Sequence, residues 1–203
     1  MPHYDRVISD ELFLRGYSSL QNQANAPLYE VLVYHDGPVS RPVPNRIRVR
    51  ETSERHNDWG HSLRDLGIRE ARGDYVIHFN PDNVLYSFAL REIELALRSR
   101  QRFVKIEKGD EIVIFPILMR GMQTDGRGVW RVRDVSPPPS VILTGLPPAK
   151  YFIDCMQLVM KREVWLREGG WKDKSEESDG NMYPGFVKKY GARYVGRVLG
   201  EHW

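Results

Sequence analysis

Residues 60–83 read GHSLRDLGIREARGDYVIHFNPDN. Leu63, Leu66 and Ala71 recur roughly in helical phase, and Gly73 supplies a C-terminal stop, so the spacing predicts a helix over 59–73. DYVIHF (74–79) is then a near-continuous apolar run, the pattern of a strand buried on both faces. It ends on Asn80, Asp82 and Asn83. In an open α/β sheet ligands gather at the carboxyl ends of strands. A carboxylate between two amides at that place suits a metal, a ribose or an Asx-type turn.

Working outward, DELFLRGYSSLQNQ (10–23) places Leu12, Phe13, Gly16 and Leu20 on one helical face, with Asp10 as N-cap. YEVLVYHDG (29–37) is a further buried strand closed by Asp-Gly, and NRIRVRE (45–51) a short one. SFALREIELALRSR (87–100) is strongly amphipathic. Strand and helix alternate over this half, which predicts βαβ units and a mostly parallel central sheet. The second half differs. DEIVIFPILM (110–119), GVWRVRD (128–134) and SVILTG (140–145) are strands with no helix between them. An acidic loop, KDKSEESDG (172–180), precedes a short helix around 182–191 and a last strand, ARYVGRVLG (192–200). We expect one domain over 1–203, with a nucleotide-binding half (1–100) and a smaller, irregular acceptor half (101–203).

Composition excludes several classes. The net charge is +3, from 30 Lys+Arg against 27 Asp+Glu, without the clustered basic stripe that nucleic acid calls for. The longest apolar run, IVIFPILM, is eight residues, far below the ~20 of a membrane helix. MPHYDRVISDE has neither the basic region nor the apolar core of a signal peptide. Cys155 is the single cysteine, which excludes an internal disulfide framework and fits a reducing, cytoplasmic setting. In the apolar run YFIDCMQLVM it reads as a small core residue.

Four segments in order form a recognisable set: PHYDR (2–6), YSSLQNQ (17–23), YEVLVYHDG, and the opening stretch with Gly60, Arg64, Gly67, Ala71, Gly73, Asp74, Tyr75, Phe79 and Asp82 in register. Together they resemble the GT-A fold of nucleotide-sugar-dependent glycosyltransferases, the inverting family 2 above all. PHYDR is similar to that family's turn after its first strand, and NPDN to its Asp-x-Asp motif. Two departures stand out. His35 occupies the place of the first Asp in the Asp-Asp pair, leaving Asp36 as the second, and Asn80 replaces the first Asp of Asp-x-Asp.

The resemblance implies roles for named residues. Asp82 becomes a ligand of a divalent metal, Mn2+ or Mg2+, with His202 near the chain end as a second ligand. Asn80 takes a ribose or metal-shell role, and Asn83 an outer-shell or turn-capping one. Asp36 accepts from the imide N–H of uracil, Tyr4 stacks on the base, and Arg64 meets base or diphosphate, although Arg64 also fits a solvated helix face with Arg69 and Arg72. An inverting transfer needs a general base for the acceptor hydroxyl. The implied candidate is Asp179, after the Gly169-Gly170-Trp171 lead-in, with Glu177 and Glu176 as alternatives. Trp171 would stack on the acceptor. Asp154, costly to bury unpaired, binds acceptor, orders the site or is paired structurally.

The resulting expectation is an enzyme that moves a sugar from a UDP-sugar to a hydroxyl acceptor such as a glycan, with inversion and metal assistance. The alternative is a catalytically degenerate GT-A domain acting as a nucleotide- or glycan-binding module. A nucleotidyltransferase would need a Gly-rich phosphate loop, which PHYDR is not.

Overall fold

The computed structural model describes residues 1–4, 9–40, 42–44, 47–98 and 111–203. A parallel three-stranded sheet is built from β1 (Pro2–His3), β2 (Tyr34–His35) and β3 (Arg50–Glu51), with β2 central. Part of the PHYDR stretch expected as a turn is therefore strand. Asp5 and Arg6 lie outside the described residues, as do residues 45–46 of the 45–51 strand and 99–100 of the 87–100 helix.

Helix α1 (Asp10–Gln21) is capped by Ser9, whose hydroxyl accepts from Leu12 N, and not by Asp10, which is its first residue. Its buried face, Phe13, Gly16 and Leu20, is the one expected. Gly16 permits a close approach: a Cβ there would stand 2.5 Å from Pro81 O and 2.9 Å from Asn83 O. Because both obstacles are backbone, Gly16→Ala is expected to push α1 off the 80–83 turn and cost about 1–3 kcal/mol in urea unfolding.

Helix α2 (His61–Glu70) is shorter than its sequence pattern suggested. Ala71 is already extended, and Arg162 ends the helix by donating to the carbonyls of Ile68 and Arg69, each at 2.8 Å. Arg162 opens α4 (Arg162–Arg167), a long-range partner that no local stop signal announces. At the other end Gly60 adopts φ +78°, and a Cβ there would lie 2.6 Å from Pro2 Cβ. Helix and β1 are thereby brought together.

Strand β4 (Tyr75–Ile77) is an edge of a mixed sheet ordered β12–β6–β11–β4, completed by β6 (Ile112–Ile114), β11 (Leu158–Lys161) and β12 (Arg193–Tyr194). A third sheet is ordered β10–β7–β13–β5, from β5 (Asn83–Leu85), β7 (Ile117–Arg120), β10 (Ser140–Leu143) and β13 (Gly200–His202). β8 (Met122–Thr124) and β9 (Val129–Arg131) form a hairpin. The three-stranded sheet is parallel throughout. The two four-stranded sheets are mixed: β12–β6 and β13–β7 are parallel, and β4–β11, β6–β11, β5–β13 and β7–β10 are antiparallel. DEIVIFPILM becomes two strands because it breaks at Phe115-Pro116 and its halves join different sheets.

Helix α3 (Ala89–Arg98) packs on β6 and β12. Helix α5 (Ser178–Tyr190) starts earlier than expected, taking Ser178 and Asp179 into its first turn. The apolar core runs through Phe115, Ile117, Met156 and Leu199 on one side and Ile112, Met160, Trp165 and Tyr183 on the other. Among the described residues no helix is long and apolar enough to cross a membrane.

Candidate active site

A cleft of about 810 Å³ opens where β1, β2 and β4 end, between α2, the 172–178 loop and the last strand. Tyr4, Asp36, Arg64, Asn80, Asp82, Asp154, Trp171, Asp179 and His202 all border it. Glu177 does not. Half-buried at the N-cap of α5, it accepts from Tyr151 Oη at 3.1 Å and pairs with Lys150 at 3.2 Å, which together lower its carboxyl from the ordinary range. Its neighbour Glu176 does border the cleft.

Asp36 continues from β2 and is buried. Its two oxygens accept from His56 N at 2.8 Å and Asn57 N at 3.0 Å, so it anchors the 55–57 loop beside the cleft. That loop sets the Arg55 guanidinium 3.7 Å above the Tyr4 ring. His35 is fully buried, and its Nδ1–H donates to Gly37 O at 2.7 Å.

Arg64 is not on the solvated face with Arg69 and Arg72. It is 6% exposed, and among the described residues its guanidinium meets neutral acceptors. Nη1 donates to Trp59 O and to His61 Nδ1, both at 2.8 Å; Nη2 donates to Asn80 Oδ1 at 2.5 Å and lies 3.8 Å from Cys155 Sγ. Burial pushes the Cys155 thiol well above its usual pKa, which keeps that partner neutral. The buried Nε has no hydrogen-bond partner among the described residues. A cation so enclosed, with no anion paired to it among those residues, carries a desolvation cost that a bound anion would offset.

Asn80 is thus taken up by Arg64, while Asp82 stands at the other end of the turn. Burial raises the Asp82 carboxyl above its ordinary range, His202 opposes that shift, and the charge of Asp154 adds to it. Asp82 Oδ1 is buried without a hydrogen-bond partner among the described residues, 3.8 Å from His202 Nδ1. β13 brings His202 there by pairing it with Asn83, whose Oδ1 accepts from His202 Nδ1–H at 2.7 Å. That bond leaves Nε2 with its lone pair bare. Trp203 holds the chain end: its N–H donates to Asp82 O at 3.2 Å and Arg15 lies 4.0 Å over its ring. No group of three or more His, Cys, Asp or Glu side chains placed to hold a metal by itself occurs among the described residues.

Asp179 lies across the cleft in the first turn of α5, and its Oδ1 accepts from Gly180 N at 2.7 Å. Burial, with the charge of Asp154 second, raises its pKa to about 7, despite the opposing Gly180 N–H and Arg64. Asp154 has a structural partner of its own. It N-caps the 155–157 turn, accepting from Met156 N at 2.9 Å while Gln157 reciprocates, and its charge still bears on both Asp82 and Asp179.

Trp171 corrects a sequence expectation. It is 1% exposed and stacks on His61 at 5.3 Å and on Trp165 at 5.5 Å, so it has no face to offer a sugar. The open aromatic ring at the cleft is Trp59, 64% exposed, while Trp130 and Tyr151, paired at 5.3 Å, are open elsewhere. Sequence reasoning also missed Arg55 and Arg131, both bordering the cleft. Arg131 Nη2 donates to Trp203 O at 3.3 Å, a contact across 72 positions that spacing cannot announce.

The fold is GT-A glycosyltransferase-like, as its superposition on solved structures shows. The crystal structure of S. aureus TarS 1-349 superposes with a TM-score of 0.65 at 12% identity, over 99% of this chain and 58% of that one. The same protein in complex with UDP-GlcNAc gives 0.64 at 12%, over 98% and 56%. The mannosyltransferase PcManGT from Pyrobaculum calidifontis, in complex with GDP-Man and Mn2+, gives 0.62 at 15%, over 99% and 55%. The chain thus spans little more than half the length of these structures. No protein-family model and no curated protein sequence matches it.

Proposed function

We propose that the chain is the GT-A portion of a glycosyltransferase that moves a sugar from a UDP-activated donor to a hydroxyl acceptor, with inversion and the help of a divalent cation. The observation that carries this reading is Arg64, a buried guanidinium bordering an open cleft, with neutral partners and a partnerless Nε among the described residues. A nucleoside diphosphate supplies the anion it lacks. Tyr4 and Asp36, which border the same cleft, are the residues this reading assigns to the base.

The donor set suits a hard cation held jointly with the diphosphate: Asp82, with a buried free oxygen, and His202, with a bare Nε2. When bound, that cation would neutralise the charge developing on the departing diphosphate. Asp179 takes the proton from the acceptor hydroxyl as its oxygen bonds to the anomeric carbon. The bond from that carbon to the diphosphate breaks, and UDP leaves.

The test is UDP release from a panel of UDP-sugars with Mn2+ and a mixture of glycan acceptors. No binding and no turnover, with or without metal, would sink the reading. Asp82→Asn is expected to lower turnover by about two orders of magnitude and to remove stimulation by Mn2+, while uridine binding measured by calorimetry is unchanged. The second reading, a nucleotide- or glycan-binding module, draws on Asn80, which stands where the resemblance has an Asp and is engaged by Arg64. UDP binding with no turnover of any UDP-sugar would favour it.

A further inference from the structure

His61 joins the two sides of the cleft. It opens α2, one turn before Arg64, and is 4% exposed. Burial and the neighbouring guanidinium lower its pKa to about 4, so it is neutral. Its tautomer follows from its partners. Nδ1 accepts from Arg64 Nη1 at 2.8 Å, and Nε2–H donates to Ser175 O at 2.8 Å with Ser178 Oγ at 3.1 Å. Ser178 also accepts from Trp171 Nε1 at 3.2 Å, and the His61 and Trp171 rings stack within 12°. Ser175 and Ser178 therefore carry the loop that ends, one residue later, at Asp179. Arg64 itself donates to none of residues 172–178 among the described contacts; His61 is its hydrogen-bonded route to them.

We propose that His61 is a positioning residue that couples the donor-binding arginine, Arg64, to the placement of the base, Asp179. The proposal rests on the functional reading of those two residues, but the linkage is a property of the free protein. Neutral imidazole suits the task because it accepts on one side and donates on the other within a fixed plane, so a displacement of Arg64 toward a bound anion moves the partner of Ser175 and Ser178. Donor occupancy and readiness of the base become one event.

Amide hydrogen exchange over residues 172–180 tests this in four free proteins: wild type, Arg64→Lys, His61→Asn and the double variant. Asn offers an acceptor near the Nδ1 position but cannot reach Ser175. Each single substitution is expected to speed exchange of the loop about tenfold, and the double variant no further than either alone. Additive effects, or an Arg64→Lys effect that persists in full without His61, overturn the proposal. Should His61→Asn fail to fold, as judged by circular dichroism, His61→Gln takes its place, losing the acceptor toward Arg64 and retaining an N–H toward the loop. In turnover, His61→Asn is expected to leave the donor KM within about twofold while kcat falls about thirtyfold, a split that general loosening does not give. If wild type releases no UDP from any UDP-sugar, the glycosyltransferase reading fails, and the exchange experiment still decides the coupling.

Discussion

Asp179→Asn is expected to remove about 100- to 10,000-fold of the transfer rate and, at pH 8, to make the protein more stable. Both effects have one cause. Burial beside Asp154 raises the Asp179 pKa from 3.8 to about 7, so the folded protein resists the charged form that a base must adopt. The sign follows from linkage. A group whose folded pKa lies above its unfolded value supports folding fully below the unfolded value, here about pH 4. That support drains away as the pH rises and is gone above about pH 7. A shift of about three pH units corresponds to roughly 4 kcal/mol, as an order of magnitude. Asn carries no charge at any pH, so its stabilising effect should be near zero at pH 4 and reach its plateau above pH 7. Thermal melts of both proteins between pH 4 and pH 8 measure this, with a gain on the order of 10 °C at the upper end. In wild type, kcat should rise with pH through about 7 as Asp179 loses its proton. A melting difference independent of pH would mean that Asp179 is not held in the protonated state.

Arg64→Lys is expected to weaken UDP binding about 100-fold while uridine binding stays within about threefold, since charge-assisted hydrogen bonds to one anion are worth about 1.5–3 kcal/mol. Lysine keeps the charge but loses the planar fork that meets Asn80 and His61 and would meet a diphosphate bidentately. Calorimetry with UDP, UMP and uridine separates the contributions, the loss growing with the number of phosphates. An equal loss for all three ligands would place Arg64 against the base instead.

Much of this site was legible because it is local. Helix, glycine stop, apolar strand and polar turn follow one another within residues 60–83, and side-chain period and turn chemistry act over that range. Tyr4 and Asp36 come together because β1 and β2 run parallel to a common end, and Asn80 and Asp82 reach the same cleft from β4 of another sheet. Where sequence reading missed, the cause was distant. Trp171 carries the same indole whether it faces a sugar or a core; His61 and Trp165, stacked on it, decide. Arg64 and Arg69 look alike on one helix, yet the first is enclosed by Asn80, His61 and Cys155 and the second pairs with Asp65 in solvent.

By itself, then, the sequence determined the α/β alternation of the first half, the strand that delivers Asp82, and the acidic segment that holds Asp179. These are matters of periodicity and turn chemistry, expressed by neighbours along the chain. Tertiary structure alone decided that His202 returns beside Asp82 through β13, that Arg64 is a buried cation with no anion paired to it among the described residues, and that His61 ties it to the loop before Asp179. Such facts are set by contacts between segments about 90 to 120 positions apart, which no local pattern encodes.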